Sequence, residues 1–299
     1  MTKILVTGSA GLIGRQVVKN LVRENHSVYS CYHKSKPEFG IPIQLDLLKE
    51  DKIVEIFNVI KPEVIIHLAA LTNVEECEIE KEKAISINTN STKILLKEAI
   101  KHETFFVYIS TDYVFDGKEK LRSENDIPNP INFYGKSKLD GEIEVKNSGI
   151  QYAIIRTSTP FGLHPTKKSF PLWIKENLEL KKKINVLNDQ FTSPTFVPNL
   201  SKMIIEIAVK QISGIIHLAD DIRISRYEFA VLIANKLNLD KTLLKPTKIE
   251  CMEWNAIRPK DSSLNVSKAK NILDNKPQKI ERELEILINQ MKNSIDKKY

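Results

Sequence analysis

Tyr134-Gly135-Lys136-Ser137-Lys138 sets a phenol and an ammonium four residues apart. On a helix that interval stacks the two side chains on one face. A free phenol titrates near ~10 and exchanges protons reluctantly at neutral pH. A cation held beside it favours the phenolate and makes Tyr134 a usable general acid or base. The sequence predicts that a helix starts here, with Asn132 as its N-cap. Tyr32 and Lys36 repeat the interval, but Pro37 follows at once and no helix runs on through it. Only the later pair can work as a pair.

A second stretch with chemical content is Gly8-Ser9-Ala10-Gly11-Leu12-Ile13-Gly14. The apolar, β-branched run Lys3–Thr7 precedes it, and Val17, Val18, Leu21 and Val22 follow at helical spacing. Strand, glycine turn and helix form the context of a dinucleotide fingerprint. Gly8 permits the turn, Gly11 lets backbone approach a pyrophosphate, and Gly14 lets helix and strand pack closely. The cofactor set read from this turn is Gly8, Ala10, Gly11, Leu12, Ile13 and Gly14. A second strand is expected at Ser27–Tyr32. A site for NAD(H) usually carries an acid near the end of that strand, to hold the ribose hydroxyls. Here the next acid is Glu38, and His33, Lys34 and Lys36 come first. Those cations suit a 2′-phosphate, so NADP(H) is expected, with NAD(H) as the second candidate.

These groups need a scaffold with all strand ends on one edge. Apolar runs are expected as strands ending at Ile43–Leu47, at Val64–Leu68, at Phe105–Ile109 and at Gln151–Arg156, with a helical stretch from about Ile79 to His102. Their alternation implies an α/β fold, a doubly wound parallel sheet of Rossmann type. In such a sheet ligands lie beyond the carboxyl ends of the strands. This places Asp46 and Leu47 beside an adenine, the small residues Ala69 and Ala70 against the cofactor, and Ser110-Thr111-Asp112-Tyr113 at the chemistry. Past Thr157 prolines break the chain into short segments, with helices expected near 169–181, 198–210, 226–237 and 279–295. Ile280, Leu284, Leu287, Ile288, Met291 and Ile295 form one apolar face of the last helix. The expected division is a dinucleotide-binding domain over 1–158 and a smaller α/β substrate lobe over 159–299, with some segments returning to the first domain.

Bulk properties narrow the class. The chain has 299 residues, 41% hydrophobic and 28% charged, which suits a soluble globular protein with a large core. Its net charge of +7 is spread among interleaved charges, so neither a nucleic-acid groove nor a membrane surface is expected as a partner. Cys31, Cys77 and Cys251 are too widely spaced for a zinc site or a disulfide framework. With no signal peptide or bilayer-spanning run in view, a cytoplasmic protein without a structural metal is expected.

Several motifs carry a resemblance. Thr7-Gly8-x-x-Gly11-x-x-Gly14, the run Ser110–Gly117 and Tyr134–Lys138 with Leu139, Gly141 and Glu142 resemble the extended short-chain dehydrogenase/reductases, and within them the dTDP-4-dehydrorhamnose reductases. Thr72-x-Val74-Glu75, Arg156-Thr157-Ser158, Asp189-Gln190, Gly214–Leu218, Ser225–Ala230 and Arg258-Pro259 extend the resemblance over nearly the whole chain. It implies reduction of the 4-keto group of a nucleotide-activated deoxysugar by NADPH, as in dTDP-4-dehydro-L-rhamnose to dTDP-L-rhamnose. It also implies roles. Thr111 would hydrogen-bond the substrate carbonyl, Tyr134 would donate the proton, and Lys138 would hold the nicotinamide ribose and tune Tyr134. Thr72, Val74, Asp112, Asp189, Gln190 and Arg258 would face the substrate, with Arg258 on the nucleotide diphosphate. The family is often dimeric, so a homodimer is allowed.

Two departures fall on the substrate side. The tryptophan usual after Arg-Thr-Ser is replaced by Thr159-Pro160-Phe161, and the glycine of the Asp-Gln-x-Gly loop is Thr192. A dehydratase would carry a glutamate where Tyr113 stands. Two alternatives stay open: a C4 epimerase or another nucleotide-sugar reductase, and a non-catalytic NADP-binding regulatory subunit similar to that of methionine adenosyltransferase.

Overall fold

In this computed structural model, which describes residues 1–295, seven parallel strands form the central sheet. They include β1 (Lys3–Thr7), β2 (Ser27–Tyr32), β3 (Ile41–Gln44), β4 (Val64–His67), β5 (Phe105–Thr111) and β6 (Tyr152–Thr157). The seventh is Gly214–His217, and the order is Gly214–His217, β6, β5, β4, β1, β2, β3. The order reverses between β1 and β4, so a crevice opens at their carboxyl ends. The registers put Thr7 opposite His67 and Thr111 opposite Thr157. All chemistry-bearing strand ends therefore share one edge.

Both faces are covered, which is why every residue of β4 and β5 is buried. Helices α1 (Leu12–Arg23) and α2 (Glu50–Ile60) lie on opposite faces. After α3 (Val74–Ile79), α4 (Lys81–Ile85) and a π-helical turn at Ser86–Asn90 comes α5 (Ser91–Lys101), and after β5 comes α6 (Phe133–Asn147). Val17, Val18 and Leu21 of α1 join Ile4, Val6 and Ile66 on one face. Ile53 and Phe57 of α2, Leu95 of α5 and Val145 of α6 join Leu5 and Ile65 on the other.

Farther along lie α7 (Phe170–Glu179), α8 (Val197–Lys210), α9 (Arg226–Leu237), α10 (Ser267–Ile272) and α11 (Ile280–Ile295). Leu200, Met203 and Ile204 of α8 pack into the α1 face of the sheet. A separate core gathers Ile174 and Leu178 of α7, Phe229 and Ile233 of α9, and Ile280, Leu284, Leu287 and Met291 of α11. The side chain of Ile295, expected on that face, lies outside the described residues.

The structure differs from the sequence reading in several places, among them α10, which was not expected. The third strand ends at Gln44, so Asp46 and Leu47 fall beyond it, in the turn to α2. The helical stretch expected from Ile79 starts earlier, at Val74, because Asn73 caps it by accepting from the Glu75 and Glu76 amides at 3.1 and 3.3 Å. That stretch is also divided at Glu80 and by the π-helical turn. The strand Gly214–His217 was not read as a strand. It has four residues, starts at a glycine with φ +106°, and owes its extension to pairing with β6.

Candidate active site

The glycine turn is built as its spacing requires. Gly8 has φ +65°, and a Cβ there would lie 2.7 Å from the Ala69 amide nitrogen. A Cβ on Gly14 would lie 2.2 Å from the Gly8 carbonyl oxygen. Gly11 caps α1 without a side chain, and its amide donates to Gly8 O at 2.9 Å. Ala10, Leu12 and Ile13 complete the turn and the start of the helix, with Ala69 directly across from Gly8 and Ala70 next in the chain. A cradle that any side chain would fill fits a group that approaches backbone closely.

Helix α6 starts where the sequence predicts. Asn132 Oδ1 accepts from the Gly135 amide at 2.9 Å, a cap contributing ~1 kcal/mol. Two glycines let the helix press onto β5. A Cβ on Gly135 would lie 2.1 Å from Tyr113 O, and one on Gly141 would lie 2.2 Å from the Tyr108 hydroxyl. Tyr134 is thereby set edge-on against Tyr113, with ring centroids 6.0 Å apart, and its phenol faces the Thr111 hydroxyl.

Burial dominates the electrostatics. Lys138 is 2% exposed, and its ammonium lies 4.0 Å from the centroid of the Tyr108 ring. Desolvation lowers its pKa to about 7, against a smaller upward pull from Glu142. Desolvation also raises the Tyr134 phenol, with Thr111 pulling the other way. The sequence reading expected the cation to favour the phenolate. Instead burial raises the phenol and lowers the ammonium, and Lys138 is not among the groups that shift Tyr134.

Thr111 and Asp112 belong to a chain of buried hydroxyls. Thr111 Oγ1 donates to Asp112 Oδ1 at 3.0 Å, and Ser158 Oγ donates to Asp112 Oδ2 at 2.7 Å. With its proton spent on Asp112, Ser158 accepts from Thr192 Oγ1 at 2.7 Å, and Thr192 accepts from Thr159 Oγ1 at 2.6 Å. The Asp112 pKa is raised by burial, with the hydrogen bonds pulling it down.

The sequence reading missed a polar seam joining the glycine turn to α6. Thr7 Oγ1 accepts from the Leu68 and Ala69 amides and lies 2.7 Å from His67 Nδ1. His67 Nε2 lies 3.1 Å from Thr92 Oγ1, whose proton goes to Asn88 O. His67 is therefore neutral and protonated on Nε2. Burial first, then Lys138, lowers its pKa to about 3. Asn88, in the π-helical turn, donates to Ser137 Oγ at 2.9 Å. Below Lys138, Glu142 accepts from Arg156 Nε and Nη2 at 2.9 and 2.7 Å and from Ser110 Oγ at 2.6 Å, tying α6 to β5 and β6. The signal in the sequence was polar residues ending otherwise apolar strands: Thr7, His67, Ser110 and Arg156.

The remaining predicted residues divide. His33 and Lys34 are exposed just past β2. Asp46 Oδ1 accepts from the Leu48 amide at 3.0 Å, as an Asx turn into α2. Thr72 is exposed beside the cap of α3, and Val74 is that helix's first residue. Gln190 lies near the site, its amide donating to Pro259 O at 3.4 Å. Asp189 Oδ1 instead accepts from the Ile249 amide at 2.9 Å. Arg258 already has partners: its guanidinium donates to Glu75 Oε1 at 2.8 Å and stacks 3.9 Å from the Trp254 ring centroid. Among the described residues no group of His, Cys, Asp or Glu is arranged for a metal, and no helix is long and apolar enough to cross a membrane.

A parallel sheet with a glycine turn at its switch point and a Tyr-x-x-x-Lys helix beside it defines a dinucleotide-binding protein of the Rossmann class. More narrowly, the chain belongs to the RmlD substrate binding domain family, whose model matches residues 1–293. It is 31% identical over 267 residues to the probable low-salt glycan biosynthesis reductase Agl14 of Haloferax volcanii, covering 88% of this chain and 89% of that one. It is also 31% identical over 278 residues to methionine adenosyltransferase 2 subunit beta of Rattus norvegicus, covering 90% and 82%. Among solved structures, dTDP-4-dehydrorhamnose reductase from Bacillus anthracis in complex with NADP superposes with a TM-score of 0.87 at 29% identity, covering 97% and 100%.

Proposed function

We propose that this chain is an NADPH-dependent reductase of the 4-keto group of a nucleotide-activated deoxysugar, with dTDP-4-dehydro-L-rhamnose as substrate and dTDP-L-rhamnose as product. The observation that supports this reading is the Tyr134 phenol facing the Thr111 hydroxyl, with Lys138 buried one turn further along α6 over the Tyr108 ring, on the same edge of the sheet as the glycine cradle. The solved reductase with NADP supports it. NADPH, when bound, supplies the hydride. Gly8, Gly11 and Gly14 would hold its phosphates on backbone, with Ala69 and Ala70 leaving room beside them, and His33 and Lys34 would pair with its 2′-phosphate. Residues 1–158 form the cofactor lobe in this reading, with 197–210 and 214–217 returned to it.

The protein's own work is placement and proton control. Thr111 turns its hydroxyl proton from Asp112 to the carbonyl and orients it, and Tyr134 gives its proton to the oxygen as negative charge develops there. Burial keeps Tyr134 protonated until the carbonyl oxygen, as it becomes an alkoxide, is basic enough to take the proton. Lys138 would hold the nicotinamide ribose of a bound dinucleotide and, in its charged form, stabilise the phenolate left on Tyr134.

A panel of nucleotide-4-ketosugars with NADPH, followed by absorbance, tests the reading. Oxidation of NADPH by the dTDP sugar is expected, falling about 10²–10⁴-fold in Tyr134→Phe with NADPH binding kept. An unchanged rate in that variant removes Tyr134 from the mechanism. The second reading, a non-catalytic NADP-binding subunit, is favoured by the methionine adenosyltransferase relative and by the engagement of Arg258 with Glu75. It predicts cofactor binding without turnover of any sugar in the panel.

A further inference from the structure

The segment between Phe161 and α7 leaves the second core and reaches the glycine turn. Leu163 and Phe170 pack against that core. Ser169 closes the stem of the loop, with Oγ donating to Gly162 O at 2.9 Å. At the tip, His164 Nδ1 accepts from the Thr166 and Lys167 amides at 3.2 and 3.0 Å. Nδ1 therefore carries no proton, and Nε2–H donates to Ala10 O at 3.0 Å, within the fingerprint itself. A side chain of the second lobe thus latches onto the cofactor turn.

The turn that His164 folds delivers Lys167. Its ammonium lies 4.0 Å from where a Cβ on Gly11 would stand, beside the start of α1. The neighbouring cations are already neutralised: Lys168 pairs with Glu176 at 2.6 Å, and Arg15 Nε donates to Glu38 at 3.0 Å. Lys167 has no carboxylate partner among the described residues. An ammonium beside the positive end of a helix, with no acid in the first turn, is an unfavourable placement until an anion lies between them.

We propose that Lys167, positioned by the His164 latch, is a cofactor-binding residue that neutralises the pyrophosphate of the dinucleotide from the side opposite the α1 amides. The substrate lobe then completes the cofactor site, and the cofactor in turn fastens that lobe over the sheet. This inference rests on the dinucleotide reading given above. It assigns Lys167 to the phosphates that NADPH and NADH share, in contrast to His33 and Lys34, which face only the 2′-phosphate.

The test is equilibrium binding of NADPH and NADH, by nicotinamide fluorescence at low salt, to the full chain and its variants. Lys167→Gln is expected to weaken both nucleotides by the same factor, on the order of tenfold, as a charge-assisted contact requires. Lys167→Arg is expected to stay within about threefold of wild type. His164→Ala is expected to weaken both nucleotides. Lys167 is exposed, so its variants leave the core untouched. Wild-type affinity of Lys167→Gln for both nucleotides overturns the proposal, as does a loss confined to NADPH. If wild type binds neither nucleotide, the dinucleotide reading fails first and the clamp with it.

Discussion

At the scale of the residue, Lys138 pays for its position in protonation. With its pKa lowered by burial from 10.5 to about 7, the folded chain resists the ammonium form. Below pH 7 both folded and unfolded chains carry the charge, and the full burial cost is present. As pH rises from 7 toward 10.5 only the unfolded chain stays protonated, and the cost is progressively relieved. Lys138→Met is therefore expected to raise Tm at pH 6 and to gain much less at pH 10. An equal gain at both values would show that the ammonium is solvated. Tyr134, Lys138 and the Asn132 cap were legible from spacing, because a helical interval and a cap are local properties. The Thr7–His67–Thr92–Asn88 seam was not, since its members are brought together by strand register and by a π-helical turn. Arg258 could be read as a cation but not as one already paired with Glu75, 183 residues away.

At the scale of the element, four helices of the second half, α7, α8, α9 and α11, lie within a residue or two of their expected bounds because their apolar faces repeat, whereas the six-residue α10 is too short to show a period and was missed. The strand Gly214–His217 escaped, since four residues carry too little period and its partner is 61 residues upstream. Beyond that strand's end the chain buries a carboxylate pair. Asp220 is fully buried; its Oδ2 accepts from the Phe196 amide at 3.3 Å and its Oδ1 has no partner among the described residues. Desolvation and then Glu283 of α11 push the Asp220 pKa well up, and desolvation raises Glu283 to about 7, with Arg282 and Lys202 pulling it down. Protons are thus held more tightly in the folded state. The cost of ionising the pair is absent at pH 3, grows as pH rises through the ordinary carboxylate range, and is complete only above the raised pKa values. Asp220→Asn is expected to raise Tm at pH 8 and to change it little at pH 4. Greater stabilisation at pH 4 than at pH 8 would contradict the arrangement.

At the scale of the whole molecule, the two positions that depart from the family pattern turn out to be neighbours. Thr159, at φ +42° where β-branched residues seldom lie, bonds to Thr192 at 2.6 Å. Through Ser158 the pair reaches Asp112, one residue from Thr111. Each was visible in the sequence as an isolated change; only the fold makes them one chain of hydroxyls leading to Asp112. In the proposed reaction these hydroxyls belong to the sugar's side, and Tyr134 and Lys138 stay in place. That reaction is tested most directly by where the hydride goes. When the chain is given NADPH carrying deuterium at the transferred position and dTDP-4-dehydro-L-rhamnose, mass spectrometry is expected to find one deuterium at C4 of the product sugar. Unlabelled sugar recovered unreduced, with NADPH bound at saturation, would contradict it.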